Sequence, residues 1–143
     1  MRNKLDRAID ANLNRAREAL RVCEDITRFV LNDATLTASL KNIRHKISRL
    51  KIEGVITSRN TISDIGRKAS FDKAKPKDFN SLFYNNIHRA EESIRALEEF
   101  SKLINGKAHL KFKAIRFKVY LIEKKAIKKL KVFCDTDRTC KTK

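Results

Sequence analysis

Two stretches of this chain carry the same arrangement of arginine, glutamate and asparagine side chains. Residues 12–30 read NLNRAREALRVCEDITRFV, and residues 86–104 read NIHRAEESIRALEEFSKLI. The identical polar residues pair Asn12 with Asn86, Arg15 with Arg89, Glu18 with Glu92, Arg21 with Arg95 and Glu24 with Glu98. Arginine forks suit phosphate oxygens, and carboxylates suit divalent cations. An internal repeat of this kind predicts two copies of one supersecondary unit.

The same spacing also has a purely structural interpretation. Arg15, Glu18, Arg21 and Glu24 follow one another at three-residue steps, which suits ion pairs along a single helix. Duplication of one ancestral hairpin would copy such a ladder without any functional demand. Exposed ion pairs contribute only about 0.3 to 0.5 kcal/mol each, yet these charges are identical in the two copies, where neighbouring residues differ. This contrast favours a function.

Helices must position these side chains. Apolar residues recur at three- and four-residue steps, and the chain contains three glycines and one proline. We predict helices over about 3–31, from Asp33 to about residue 53, over about 80–104 and over about 108–130. Asn32 and Asp33 form the first joint, and Asn105 with Gly106 forms the second. The expected fold is all-α: a four-helix bundle made of two pseudo-symmetric antiparallel helical hairpins joined by a long central loop.

This pattern predicts one helical domain over residues 1–133. Hairpin 1 covers about 3–53, the central loop about 54–78 and hairpin 2 about 79–131, and residues 134–143 form a basic tail. A loop of this length inside a compact domain is usually functional or disordered.

The helical wheel predicts where the repeated polar residues lie around their helix. Asn12 and Glu24 fall about 60° from the centre of the apolar stripe, and Arg15 and Arg21 fall about 120° from it. A carboxylate or amide at the edge of the stripe must be hydrogen-bonded or paired, because its desolvation alone costs several kcal/mol. Since the second copy repeats this arrangement, we expect both polar sets to face one common pocket.

Composition limits the classes of partner and compartment. The net charge of +17 predicts an anionic partner, although the basic run over 124–131 equally suits a solvated helix face. Cys23, Cys134 and Cys140 lack framework spacing and indicate reduced thiols, with Cys23 in the core. No segment approaches the roughly 18 apolar residues of a membrane helix, so we expect a cytoplasmic protein without a membrane partner.

Several common sites are absent from the sequence. It contains no glycine-rich phosphate loop of the GxxxxGK[ST] or GxGxxG type and no recognisable nucleophile–histidine pair. His45, His88 and His109 share no metal-ligand spacing with the cysteines and are expected at surface or bordering positions. The remaining arginines and acids suit phosphoryl transfer, which needs mainly alignment and charge neutralisation.

Five motifs, in order along the chain, resemble those of one family. They are DANLNRAREALRVCEDITRFVLND at 10–33, IRHKI at 43–47, SRNTISDIG at 58–66, NNIHRAEESIRALEEFSKL at 85–103 and IRFKVYLIEK at 115–124. The chain resembles the small monofunctional hydroxymethylpyrimidine-phosphate kinases of thiamine biosynthesis, which are often fused ahead of thiamine-phosphate synthase. The resemblance covers roughly residues 5–130.

This resemblance implies transfer of the ATP γ-phosphoryl group to 4-amino-5-hydroxymethyl-2-methylpyrimidine phosphate, giving the diphosphate that the synthase consumes. ATP is then the co-substrate and Mg²⁺ the cofactor. On the matched positions we assign catalysis to Arg59, Arg15 and Arg89, substrate and phosphate binding to Asn12, Arg21, Arg44, Asn86, Arg95 and Arg116, and the metal to Glu24, Asp64 and Glu98. One departure concerns Asn60, which stands where the family usually has an acid, and it makes Asp64 the better metal candidate.

Two other functions stay open. The basic last helix could belong to a nucleic-acid-binding module, which the repeated acids and the few aromatic residues do not favour. Alternatively, the chain could be a helical domain that has lost catalysis and docks on thiamine-phosphate synthase. Residues 132–138 faintly resemble the first strand of the synthase barrel, so the chain is either a stand-alone kinase or the front piece of a longer protein. A homo-oligomer is compatible with the sequence.

Overall fold

The computed structural model describes residues 2–50, 75–104, 107–137 and 140. Its elements are four α-helices, α1 Arg2–Asp25, α2 Ala34–Arg49, α3 Phe79–Ser101 and α4 Ala108–Thr136, with a π-helical turn, Ile26–Val30, following α1. The predicted all-α bundle of two hairpins is therefore confirmed. Most of the predicted central loop, 54–78, lies outside the described residues.

The joint between α1 and α2 follows the sequence prediction. Asn32 takes a left-handed conformation with φ of 49°, which asparagine tolerates better than most residues. The Asp33 side chain then caps α2 by accepting a hydrogen bond from the Leu36 N–H at 2.9 Å. These two residues turn the chain back on itself after the π-helical turn.

The end of the chain differs from the prediction in two respects. Helix α4 continues to Thr136, past the expected end near Leu130, so residues 132–136 are helical rather than strand-like. Cys134 and Cys140 form a disulfide, with their Cα atoms 5.1 Å apart. The prediction of reduced thiols is wrong for this pair, because the chain turns back after α4 and brings two nearby cysteines together. Cys23 is a free, buried thiol, as predicted.

Ion pairs show that each hairpin is antiparallel. Arg44 on α2 bonds to Glu24 near the end of α1, and Arg116 on α4 bonds to Glu98 near the end of α3. The second helix of each hairpin therefore returns along the first, as the short joints require.

Two further contacts set the relative direction of the hairpins. Lys129, near the end of α4, bonds to Asp33 at the start of α2. Cys23, near the end of α1, donates through its thiol to the Phe83 carbonyl, near the start of α3, at 3.7 Å. Helices α1 and α3 consequently run antiparallel, and an approximate two-fold axis perpendicular to the helices relates the hairpins.

The core consists of the apolar seams of the four helices. Most of the predicted seam residues are buried, whereas Leu13, Val30, Leu50 and Ile104 are only partly buried. Counting along α1 and α3 from the Cys23–Phe83 contact brings Ala16 level with Ala90. Both alanines are completely buried, which suits the close approach of the two central helices at the middle of the bundle. Among the described residues, no helix is long and apolar enough to cross a membrane.

Enlarging Ala90 tests this central contact. Ala90→Leu should lower the free energy of unfolding by about 1 to 3 kcal/mol, because extra methyl groups between closely packed helices force side chains and backbone apart. Urea denaturation measures the change. Ala114→Leu, at an exposed position on α4, is the control and should change stability by less than about 0.5 kcal/mol. Equal stabilities for the two variants would contradict the predicted close approach.

Candidate active site

A buried carboxylate joins the two helices of hairpin 1. Glu24 is 3% exposed, and its Oε2 atom accepts a hydrogen bond from Arg44 Nε at 2.8 Å. Arg44 Nη2 and Arg21 Nη1 lie 3.5 Å and 3.4 Å from the other oxygen, Oε1. The carboxylate thus holds one arginine from each helix, and the side chain of Arg44 is itself only 20% exposed.

Hairpin 2 has an equivalent cluster. Glu98 is 4% exposed, and it accepts hydrogen bonds from Arg116 Nε at 2.9 Å and from Arg95 Nη1 at 3.0 Å. Arg116 also donates through Nη1 to the Tyr120 hydroxyl at 3.0 Å. The hydrogen bonds that Arg116 donates to Tyr120 and Glu98 raise the pKa of Arg116 above its ordinary value, so this guanidinium is always charged.

The helix-ladder interpretation accounts for only part of these clusters. Arg21 and Arg95 do pair with the glutamates three residues further along their own helices, but both arginines are about half exposed. The shorter Nε contacts come from Arg44 and Arg116 on the neighbouring helices. A ladder on one helix does not predict them, so the repeated glutamates serve to bind arginines between helices.

The repeated asparagines bond within their own helices. Asn12 Nδ2 donates to the Ala8 carbonyl at 2.8 Å, and Asn86 Nδ2 donates to the Leu82 carbonyl at 2.9 Å. Both side chains are buried, more deeply than edge positions on a wheel suggest. Their assignment to substrate binding stays a prediction.

The other predicted site residues are not part of these two clusters. Arg15 and Arg89 are exposed at equivalent positions of α1 and α3. Arg59 and Asp64 lie outside the described residues. Their predicted roles therefore remain predictions.

The two glutamate–arginine clusters lie at opposite ends of the bundle. Glu24 follows Cys23, which contacts Phe83 at the start of α3, whereas Glu98 lies near the end of α3. A rise of 1.5 Å per residue separates Phe83 from Glu98 by about 22 Å along the helix. The prediction that both polar sets face one pocket is wrong for these glutamates and their arginine partners, because a wheel gives directions around a helix but not the antiparallel packing of α1 against α3.

A cavity of ≈ 420 Å³ lies beside the Glu24 cluster. Its lining includes two acids, Glu24 and Asp33, two cations, Arg28 and Lys41, and the Thr37 hydroxyl. This volume is within the usual range for small-molecule sites, and the lining offers both cations and hydrogen-bonding groups to a ligand. The sequence prediction missed Arg28 and Lys41, because neither is repeated in the second copy or was among the family positions that were matched.

The glutamates do not fit a magnesium site in this arrangement. Both oxygens of each carboxylate already accept hydrogen bonds from arginines, and Mg²⁺ would have to displace these cations. Metal binding by Glu24 and Glu98 stays a prediction that their contacts do not favour.

Comparison with known proteins assigns the chain to a family. The profile of the ThiD2 family matches residues 7–125, which include both glutamate–arginine clusters. The chain belongs to the ThiD2 family. No solved structure shows significant similarity to this ThiD2 chain.

Curated relatives of the ThiD2 chain are thiamine-phosphate synthases. The synthase of Thermosynechococcus vestitus is 36% identical over 121 residues, covering 84% of the chain and 34% of the relative. The synthase of Nostoc sp. is 36% identical over 118 residues, covering 82% and 34%, and that of Nostoc punctiforme is 35% identical with the same coverage. The ThiD2 chain thus spans about a third of the length of these relatives.

Neutralising either buried glutamate should destabilise the ThiD2 chain. Glu24→Gln and Glu98→Gln should each lower the free energy of unfolding by about 1 to 3 kcal/mol, since each leaves a mostly buried arginine without its counter-charge. Thermal and urea denaturation measure the loss. The exposed Glu18→Gln is the control and should stay within about 0.5 kcal/mol. Unchanged stability in both glutamine variants would show that the ion pairs contribute nothing to the hairpins.

Proposed function

We propose that the ThiD2 chain is a cytoplasmic kinase of thiamine biosynthesis that phosphorylates hydroxymethylpyrimidine phosphate to the diphosphate. The family match over residues 7–125 carries the proposal, because the matched stretch contains the motifs that resemble this class of kinase. The curated relatives are thiamine-phosphate synthases, so involvement in the same pathway is the coarser part of the proposal.

The reaction needs little covalent chemistry from the protein. An oxygen of the pyrimidine phosphate attacks the γ-phosphorus of ATP and forms a new P–O bond. The bond from the γ-phosphorus to the β–γ bridging oxygen breaks, and ADP leaves with that electron pair. The attacking oxygen is already anionic near neutral pH, so a strong general base is unnecessary, and catalysis depends on positioning and charge neutralisation.

Arginines held by buried carboxylates are suited to this task. The Nε atoms of Arg44 and Arg116 face Glu24 and Glu98, and this contact fixes the plane of each guanidinium before a ligand arrives. We place the phosphate of the pyrimidine at the Glu24 end, where Arg28 and Lys41 line a cavity together with Glu24 and Asp33. Glu24 and Glu98 would then be positioning residues.

The remaining roles are assigned from the resemblance alone. Arg59, Arg15 and Arg89 are the proposed catalytic residues, and Asn12, Asn86, Arg21 and Arg95 the further substrate-binding residues. Mg²⁺ would bind together with ATP and neutralise part of the negative charge of its phosphates. Asp64 is its preferred ligand, because both oxygens of Glu24 and of Glu98 accept hydrogen bonds from arginines.

A second candidate function is a non-catalytic domain that docks on thiamine-phosphate synthase. One observation favours it: Leu110, Phe117 and Leu121 are exposed along one side of α4, two turns and then one turn apart. Purified ThiD2 chain mixed with ATP, Mg²⁺ and the pyrimidine phosphate separates the two functions. The kinase forms diphosphate and ADP in equal amounts, visible by ³¹P NMR, whereas a docking domain forms neither.

Replacing Arg44 tests the phosphate-binding role directly. Arg44→Gln should lower kcat/KM by about 100-fold, because a preorganised charge at the transferring phosphate is lost. Steady-state assays measure the loss, and Arg116→Gln tests the equivalent residue at the other end of the bundle. Arg49→Gln, at an exposed position one turn beyond Arg44, is the control with unchanged kinetics. Activities within tenfold of the parent in both test variants would remove the arginine pairs from the mechanism.

A further inference from the structure

A histidine and two glutamates meet between α3 and α4, away from the glutamate–arginine clusters. His88 and Glu91 lie one turn apart on α3, and Glu123 faces them from α4. His88 Nε2 lies 2.9 Å from Glu123 Oε1. One nitrogen and two carboxylate oxygens all lie within 4.8 Å of one another.

Glu91 is the unusual member of this group. It is only 8% exposed, and its Oε1 atom has no hydrogen-bond partner among the described residues. Its side chain also forms a hydrogen bond with the Glu123 side chain. Two adjacent, partly buried acids are unfavourable unless a proton or a cation neutralises one of them.

The first hairpin shows that the fold does not require this arrangement. The positions equivalent to His88 and Glu91 are occupied by Asn14 and Arg17. Arg17 carries its own positive charge and donates a hydrogen bond to the Asn14 amide oxygen. In the described part of hairpin 1, Asn14 and Arg17 therefore bond to each other at the positions where hairpin 2 has a histidine and a buried acid.

We propose that His88, Glu91 and Glu123 form a binding site for a divalent transition-metal ion. Two helices of a bundle contribute the ligands, with a histidine and a glutamate three residues apart, which is a common construction for metal sites in helical bundles. One imidazole and two carboxylates match the ligand preferences of Zn²⁺, Mn²⁺, Fe²⁺ and Co²⁺. An imidazole ligand disfavours Mg²⁺, which takes oxygen ligands.

The surroundings hold the proposed ligands in place. The Tyr84 ring packs against the His88 imidazole, with the ring centres 4.1 Å apart, which restricts the rotation of the imidazole. Arg116, which bonds to Tyr120 and to Glu98, belongs to the glutamate–arginine cluster of hairpin 2 and not to the proposed ligand set. The site is distinct from the glutamate–arginine clusters, and its existence does not depend on the proposed kinase activity.

Direct metal binding by the full chain tests the proposal. Protein stripped of metal with its disulfide intact is titrated with Zn²⁺ by calorimetry, and Co²⁺ is added separately to record its visible absorption. We expect one saturable Zn²⁺ site per chain and a higher melting temperature in Zn²⁺. Bound Co²⁺ should show the visible absorption bands of a low-symmetry site with a histidine ligand. Mg²⁺ at the same concentration should leave the melting temperature unchanged.

Ligand variants distinguish this site from chance binding at the surface. His88→Gln and Glu91→Gln should each weaken Zn²⁺ binding at least tenfold and remove the Co²⁺ bands. Glu123→Gln should have the same effect. If thermal denaturation in EDTA shows that Glu91→Gln is unfolded without metal, Glu123→Gln is the variant used in its place. His45→Gln, which removes a histidine elsewhere on the bundle, is the control and should bind Zn²⁺ like the parent.

Two results would overturn the proposal. One is the absence of saturable Zn²⁺ binding by the folded parent. The other is equal affinity for Zn²⁺ in the parent and in the folded His88→Gln variant. Neither result bears on diphosphate formation with ATP and Mg²⁺, so failure of the metal site and failure of the proposed kinase can be told apart.

Discussion

The buried carboxylate between two helices is the interaction on which each hairpin depends. A glutamate in the interior requires a positive partner, because its charge is costly to desolvate alone. Glu24 finds this partner in Arg44 and Glu98 finds it in Arg116, in both cases on the following helix. The pair therefore fixes how α1 and α2, or α3 and α4, are placed against each other, and it fixes the direction of an arginine whose fork suits phosphate.

The two-fold relation between the hairpins places these pairs far apart. Helices α1 and α3 cross antiparallel near Ala16 and Ala90. Equivalent residues of the two copies therefore lie further apart, towards opposite ends of the bundle, the further they are from this crossing. Each end then resembles the other in its charged cluster. A ligand bound at one glutamate–arginine cluster must therefore complete its site with residues from other elements, because the second cluster lies at the far end of the bundle.

The sequence predicted the architecture well because apolar periodicity and joint residues are local signals. The seams, the break at Asn32 with its cap at Asp33, and the burial of Cys23 all follow from neighbours within a few turns. The prediction of a shared pocket was wrong for the two glutamate–arginine clusters, because their separation depends on the relative direction of the helices, which no local pattern contains. The glutamate–arginine pairs across each hairpin and the Cys134–Cys140 disulfide were missed for a similar reason, since each depends on where the chain returns.

The differences between the two copies are more informative about function than their identities. Identical residues such as Glu24 and Glu98 make the same contacts at both ends, so their identity reflects the fold as well as the arginines that they hold. Asn14 and Arg17 satisfy each other, whereas His88 and Glu91 stand at the equivalent place with an unpartnered carboxylate oxygen. Both arrangements occupy the same helical framework, so packing cannot require the second one. A group that the fold tolerates but does not need is where a ligand supplies the missing stabilisation.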